Sequence, residues 1–338
     1  MQLTKRTTQR LITVLVSVTF TLILTELFLR LTGFEFNLYP MRVEFGWPDP
    51  ITLKYKYQID QDLLWIPKNY PDEIDRWKAK RPSIVFMGCS CTEFGVYDTY
   101  LKDLFDQKKP DHQIGLLNAG VGGWSSYQGL QQLRRDIVPL QPKLITVYYG
   151  WNDHWVSFGM EDSQIGRFNR EQPKWLLMAN KLRIVQLAQS AIAKPYQTDP
   201  AAPPPPRVSL EDFKSNLTEI VAIARSHGIV PVLLTAPTTH QEGHEPKYLA
   251  QRWLNDLNEL VPLHRAYTHA TREVARNLKV PLVDLAKRFD DLFEEDSNQR
   301  GLYFQKDGIH PTPKGDRMIA QILYDYFEKH QFLDLIVK

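Results

Sequence analysis

A serine two residues past the glycine that ends an apolar run is the first feature of this sequence with chemical potential. In Ser83-Ile-Val-Phe-Met-Gly-Cys-Ser-Cys-Thr-Glu-Phe-Gly95, the run Ile84–Met87 has the length and composition of a buried strand. Gly88 breaks it, Ser90 follows, and Tyr97–Phe105 then carries apolar residues at helical spacing. A hydroxyl at such a strand-to-helix turn stands at the sheet edge, where the first N–H groups of the helix can hold an anion. Three more blocks fall after apolar runs or near the C-terminus: Asn118-Ala-Gly120-Val-Gly122-Gly123-Trp124, Gly150-Trp151-Asn152-Asp153 and Asp307-Gly308-Ile309-His310. Each alone has an ordinary use as a turn, a cap or a structural histidine. Together they hold every part that acyl transfer needs. Ser90 can attack, His310 can take its proton, and Asp307 can orient the imidazole. The Ser90 N–H, the Gly123 N–H and the Asn152 side-chain amide can receive an oxyanion.

The elements that must bring these residues together alternate along the chain. Strands are expected at Ile84–Met87, Ile114–Leu117, Leu144–Tyr149, Ile229–Thr235 and Val280–Val283. Helices are expected at Tyr97–Lys108, Ser126–Val138, Leu210–His227, His264–Asn277 and Pro313–His330, with Ser209 and Asp212 as a cap for the third. This rhythm predicts an α/β fold, a five-stranded parallel sheet covered by helices on both faces, in the three-layer flavodoxin-like manner. The carboxyl ends of neighbouring strands in such a sheet share one crevice, so residues distant in sequence can meet there.

Of the 338 residues, 41 are Lys or Arg and 39 Asp or Glu. That balance forces no basic face and argues against a nucleic-acid partner. Lys5, Arg6 and Arg10 precede an apolar run, Leu11–Leu31, long enough to cross a hydrocarbon core of roughly 30 Å as a helix. No small-x-small site follows, so the run reads as a retained anchor and not as a cleaved signal. Positive charge before it predicts a cytoplasmic N-terminus and a domain on the outer side of a bacterial-type inner membrane. Glu26 sits toward the distal end of the run with Arg30 at i+4; such a residue can mark a helix–helix contact in the membrane, but tolerance near the interface is the preferred account. The expected organisation is residues 1–33 as tail and anchor, 34–82 as an ordered lead-in, and 83–338 as the domain. Within it, 154–207 is an insertion too long for a simple connection. That insertion carries a predicted helix from Pro173 to about Ala193 and a stiff run at Pro203–Pro206. Its apolar helix must pack on the core, roof the crevice or meet the membrane, and a partial roof over the crevice is expected.

The four blocks, in this order, resemble those of the SGNH hydrolases, also called the GDSL esterase/lipase superfamily. The resemblance covers Ser83 to about His330. It implies Ser90 and His310 as catalytic residues aided by Asp307, Gly123 and Asn152 in the oxyanion hole with Ser90, and neither metal nor organic cofactor. Cys89 departs from the family pattern, which usually has Asp there. Cys89 and Cys91 are the two cysteines of the chain. They are too close in sequence for an easy disulfide and are expected to pack as buried thiols behind the turn. The expected function is hydrolysis of an acyl or O-acetyl ester of a small molecule, lipid or glycan. An O-acyltransferase acting on an envelope glycan and a non-catalytic binding protein of the same fold are the alternatives.

Overall fold

The computed structural model describes residues 5–34, 36, 56–157, 160–171, 175, 179, 181–192, 203–249 and 254–337. They fall in two compact units, one of 1–41 with 170–201 and a larger one of 42–169 with 202–338.

In the larger unit an antiparallel hairpin, β1 (Tyr57–Asp60) and β2 (Leu64–Pro67), comes first. Five parallel strands follow: β3 (Ile84–Gly88), β4 (Leu116–Asn118), β5 (Leu144–Tyr148), β6 (Val230–Leu234) and β7 (Leu282–Val283). Their order across the sheet is β4-β3-β5-β6-β7. Every residue of β3 and β5 is buried. A parallel strand flanked by helix layers on both faces has no solvent side, which is why these runs are continuously apolar. The chain leaves β3 for β4 on one side and returns to β5 on the other. The crevice outside the carboxyl end of β3 is therefore a topological switch point, where open α/β sheets bind ligands.

The predicted three-layer α/β architecture is the one observed, with boundaries that shift for identifiable reasons. β4 starts at Leu116 and not at Ile114, because its register with β3 begins where Ile84, the first residue of β3, faces Leu116. The helix expected over Ser126–Val138 is α-helical through Gln132, then widens to a π-turn at Leu133–Ile137 and ends in a 3₁₀ turn at Val138–Leu140. Pro139 has no N–H with which to continue the ladder. Ser209 caps Leu210–Ser226 by accepting the Asp212 N–H. Two amphipathic helices, Tyr70–Lys80 and Leu285–Glu295, were not read from the sequence. Of the lead-in, residues 35 and 37–55 lie outside the described ones.

In the smaller unit the N-terminal apolar run is one helix, α1 (Lys5–Leu31), of 27 residues. At 1.5 Å per residue it is about 40 Å long, more than a hydrocarbon core requires. Leu15, Phe20 and Phe28 are among its many exposed apolar side chains. Glu26 has a different role from the one expected. Its carboxylate pairs with Arg30 (2.7 Å) and also accepts the backbone N–H of Ile184 (2.9 Å), at the start of the insertion helix Arg183–Ile192. Arg30 reaches the Lys181 carbonyl as well (3.1 Å). Glu26 thus marks a helix–helix contact, because a carboxylate at a helix start takes up N–H groups that have no partner within that helix. The helix expected from Pro173 to Ala193 is described over Arg183–Ile192, and its two expected ends lie outside the described residues.

Candidate active site

The turn after β3 is built to present Ser90. A Cβ on Gly88 would collide with Thr92 Oγ1 and stand 2.9 Å from the Tyr148 carbonyl, so this strand end admits glycine alone. Ser90 opens a single helical turn, Ser90–Glu93, with Cys89 before it in an extended conformation. Cys89 and Cys91 are both buried free thiols, as expected of groups packed behind the turn. Cys91 Sγ donates to the Ile309 carbonyl (3.7 Å), and the closeness of the two thiols sets them apart, lowering Cys89 to about 7 and, with burial, pushing Cys91 up.

Asp307 and His310 lie on the loop before the helix Pro313–Lys329. His310 Nε2 is 2.9 Å from Ser90 Oγ, and its Nδ1 is 2.6 Å from Asp307 Oδ2. The other Asp307 oxygen accepts the N–H groups of Ile309 (2.9 Å) and His310 (3.0 Å), which locks the loop around its own carboxylate. Residues after β6 clamp it from outside. His240 Nε2 contacts the Asp307 carbonyl at 2.8 Å, and Thr238 Oγ1 and the Thr239 N–H both donate to the Gly308 carbonyl. Burial would lower the His310 pKa, but the hydrogen bond and charge of Asp307 outweigh it and hold the imidazole above 6.5. Burial likewise opposes ionisation of Asp307, and its bonds from His310 and the loop N–H groups bring it below the usual carboxylate range.

The expected oxyanion donors face the same place. Asn152 is buried beside the crevice and gives one amide hydrogen to the Trp124 carbonyl (3.2 Å), which fixes the plane of the amide. Next to it, Asp153 accepts the N–H groups of Ser126 (2.8 Å) and Gly150 (3.0 Å) and so ties the third block to the second; burial raises its pKa to about 6. Gly123 has a φ of +83°, and the Trp124 N–H returns to the Val121 carbonyl (3.1 Å). These features define a type II turn over Val121–Trp124. Every sequence-predicted site residue, Ser90, Gly123, Asn152 and His310, lines one cavity of about 460 Å³, with Asp307 directly behind His310.

Tyr57, Phe94, Trp151 and Trp155 form most of its apolar wall, with Gln305 and Ile309 beside the histidine. Trp151 stacks on the buried His264 ring at 3.8 Å between centroids. His264 Nε2 contacts the Ala236 carbonyl (2.8 Å) and its Nδ1 meets His154 Nε2 (3.2 Å). Burial lowers both imidazoles, His264 to about 3, so the neutral pair is a fixed backing for the tryptophan.

Sequence reasoning missed the side chains that hold the glycine turn. Glu93 accepts the Gly122 N–H (2.5 Å), and burial keeps its carboxyl above the usual range. Asn118 spans to the Thr92 carbonyl (2.6 Å) and to the Gly120 N–H (3.0 Å). Arg207, fully buried, donates to the Gly123 carbonyl (2.7 Å) and pairs with the equally buried Asp162 (2.9 Å). No local pattern signals a buried arginine at the end of a proline run. Tyr57 was missed because the lead-in was read as packing only.

The fold and this constellation define an acylhydrolase-type α/β protein. Residues 83–318 match the model of the GDSL-like lipase/acylhydrolase family, and the chain belongs to that family, a class of ester hydrolases. It is 26% identical over 232 residues, 63% of its own length and 73% of the relative's, to the uncharacterized lipoprotein YqeF of Bacillus subtilis (strain 168). Among solved structures it is similar to the acetyl xylan esterase AlAXEase, with 16% identity and a TM-score of 0.48 over 72% of this chain and 98% of that one. A lipase/acylhydrolase from Enterococcus faecalis is similar too, at 14% identity and a TM-score of 0.47, over 74% of this chain and 96% of the other.

Proposed function

We propose that the chain is a serine esterase that hydrolyses a neutral carboxylic ester, with Ser90 as nucleophile, His310 as base and Asp307 as its orienting partner. The observation that carries this reading is the continuous contact from Ser90 Oγ to His310 Nε2 (2.9 Å) and from His310 Nδ1 to Asp307 (2.6 Å) at the wall of the cavity. Ser90 Oγ attacks the ester carbonyl carbon while its proton passes to His310 Nε2. The oxyanion is held by the N–H groups of Ser90 and Gly123 and by the second amide hydrogen of Asn152. Collapse expels the alcohol, which takes the proton from His310. A water molecule, deprotonated by the same nitrogen, then releases the acid and restores Ser90.

Aromatic walls, and the lack of a charged side chain other than His310 among the described residues lining the cavity, favour an uncharged substrate. The length and apolarity of α1 support a membrane anchor, and the charges at Arg6 and Arg10 support a cytoplasmic N-terminus with the domain on the outer side. A relative named a lipoprotein accords with an envelope location. The test is turnover of short-chain p-nitrophenyl esters and labelling by a fluorophosphonate probe. Wild type should do both and Ser90→Ala neither. If Ser90→Ala still labels while Cys91→Ala does not, the nucleophile is misassigned.

A further inference from the structure

We propose that Arg207 is a positioning residue that holds the oxyanion hole in place by fixing where the Val121–Trp124 turn sits; this rests on the esterase reading above. Two adjacent glycines give a turn little stiffness of its own. In the observed type II form the central peptide is Gly122–Gly123, and the Gly123 N–H has no partner within the protein among the described residues. A turn that drifts would carry that N–H away from an oxyanion.

The turn is held at both of its flanking peptides. On one side the Gly122 N–H is held by Glu93 (2.5 Å). On the other, the Gly123–Trp124 peptide gives its N–H to Val121 (3.1 Å) and its carbonyl to Arg207 Nη1 (2.7 Å). Arg207 itself has no freedom to move. Its Nη2 donates to Asp162 Oδ2 (2.9 Å) and Gln128 Oε1 (3.0 Å), and its Nε lies 3.4 Å from Asp162 Oδ1. Asp162 also accepts the Ser125 hydroxyl (2.6 Å), and the Arg207 N–H donates to the Trp155 carbonyl (2.7 Å). A guanidinium and a carboxylate taken wholly out of water are kept only by such complete bonding, and that bonding makes the assembly stiff. The arginine enters from 55 positions beyond Asn152 in sequence, so the closing end of the insertion sets the geometry of the glycine turn.

The experiment uses the full chain in detergent micelles. Arg207→Lys keeps the charge against Asp162 but lacks the second arm, and Arg207→Ala opens a guanidinium-sized space. Both are compared with wild type on a p-nitrophenyl ester and on an alkyl trifluoromethyl ketone, whose adduct with a serine carries an oxyanion. Arg207→Lys should lose about ten- to a hundredfold in kcat, with KM changed little. Ketone affinity should fall by the same factor, and the acid limb of the pH profile should stay in place. Added guanidinium ion at non-denaturing concentration should restore part of the Arg207→Ala activity. A folded Arg207→Lys with wild-type kcat and ketone affinity overturns the proposal, as does a loss confined to KM. Should both variants fail to fold, a structure of the wild-type phosphonate adduct decides. Its oxyanion should lie about 2.7–3.1 Å from Gly123 N with the Arg207 bond intact, and a Gly122 carbonyl facing that oxygen refutes the idea. Wild type inert to both ester and fluorophosphonate would sink the esterase reading instead, which keeps the two failures apart.

Discussion

In the proposed mechanism His310 is a base in the resting enzyme and an acid a moment later, and Asp307 sets the pH at which it can be both. Because Asp307 holds the imidazole above 6.5, kcat/KM should fall on acidification with a midpoint above that value. Asp307→Asn removes the charge and should move the midpoint down while lowering the plateau. A pH–rate profile of the two proteins checks both, and an unmoved midpoint would detach Asp307 from His310. The same pair acts on stability with the opposite sign. A histidine raised on folding stabilises the native state below its unfolded pKa and loses that contribution as pH rises through the folded value. Activity and this increment of stability therefore trade places across the neutral range. Asn152→Ala removes one oxyanion donor and should cost about a hundred- to a thousandfold in kcat, with little change in KM.

At the level of elements, the loop after β5 and the helix Leu260–Asn277 are joined through buried imidazoles, and this junction has its own pH signature. His154 and His264 are held neutral by burial, with His264 near 3. The unfolded chain binds protons to both as pH falls below about 6.5, and the folded one does not. Their contribution is thus present above that pH and lost progressively below it. Thermal midpoints should decline on acidification under pH 6.5, and His154→Phe should flatten the decline. An identical slope in the variant would mean that other groups carry the acid sensitivity. The four blocks of candidate site residues were legible in the sequence because three follow strand ends and the fourth is a short loop before the helix Pro313–Lys329, where residue type and spacing are dictated locally. β3 and β5 were legible for the same reason, being continuous apolar runs. Arg207, Asp162 and Glu93 were not, because Glu93 and Arg207 act through tertiary contacts to backbone atoms of the glycine turn and Asp162 through Arg207, and a charged residue in sequence reads as surface. Tyr70–Lys80 escaped notice since Tyr70 and Trp77 are the two residues it buries, too sparse a stripe to declare a period.

For the molecule as a whole, the proposed topology makes a direct prediction. A reporter active only outside the cytoplasm, fused after Lys338, should work, and one active only inside should not. The reverse pattern would overturn the orientation, and a shortened soluble product would indicate cleavage of the N-terminal helix. The bond between Glu26 and Ile184 adds an element of timing. The two residues are 158 positions apart, so at roughly 5–20 residues per second the ribosome delivers Ile184 about ten to thirty seconds after Glu26. Through that interval α1 must make its way with a carboxylate whose later partner does not yet exist, and Arg30, four residues on, is the counter-charge it carries with it. On the proposed membrane reading, the ion pair serves the nascent helix as an escort first and joins two segments only afterwards. Arg30→Ala should accordingly slow insertion of even a truncated chain that ends before Lys181, whereas the truncation alone should not.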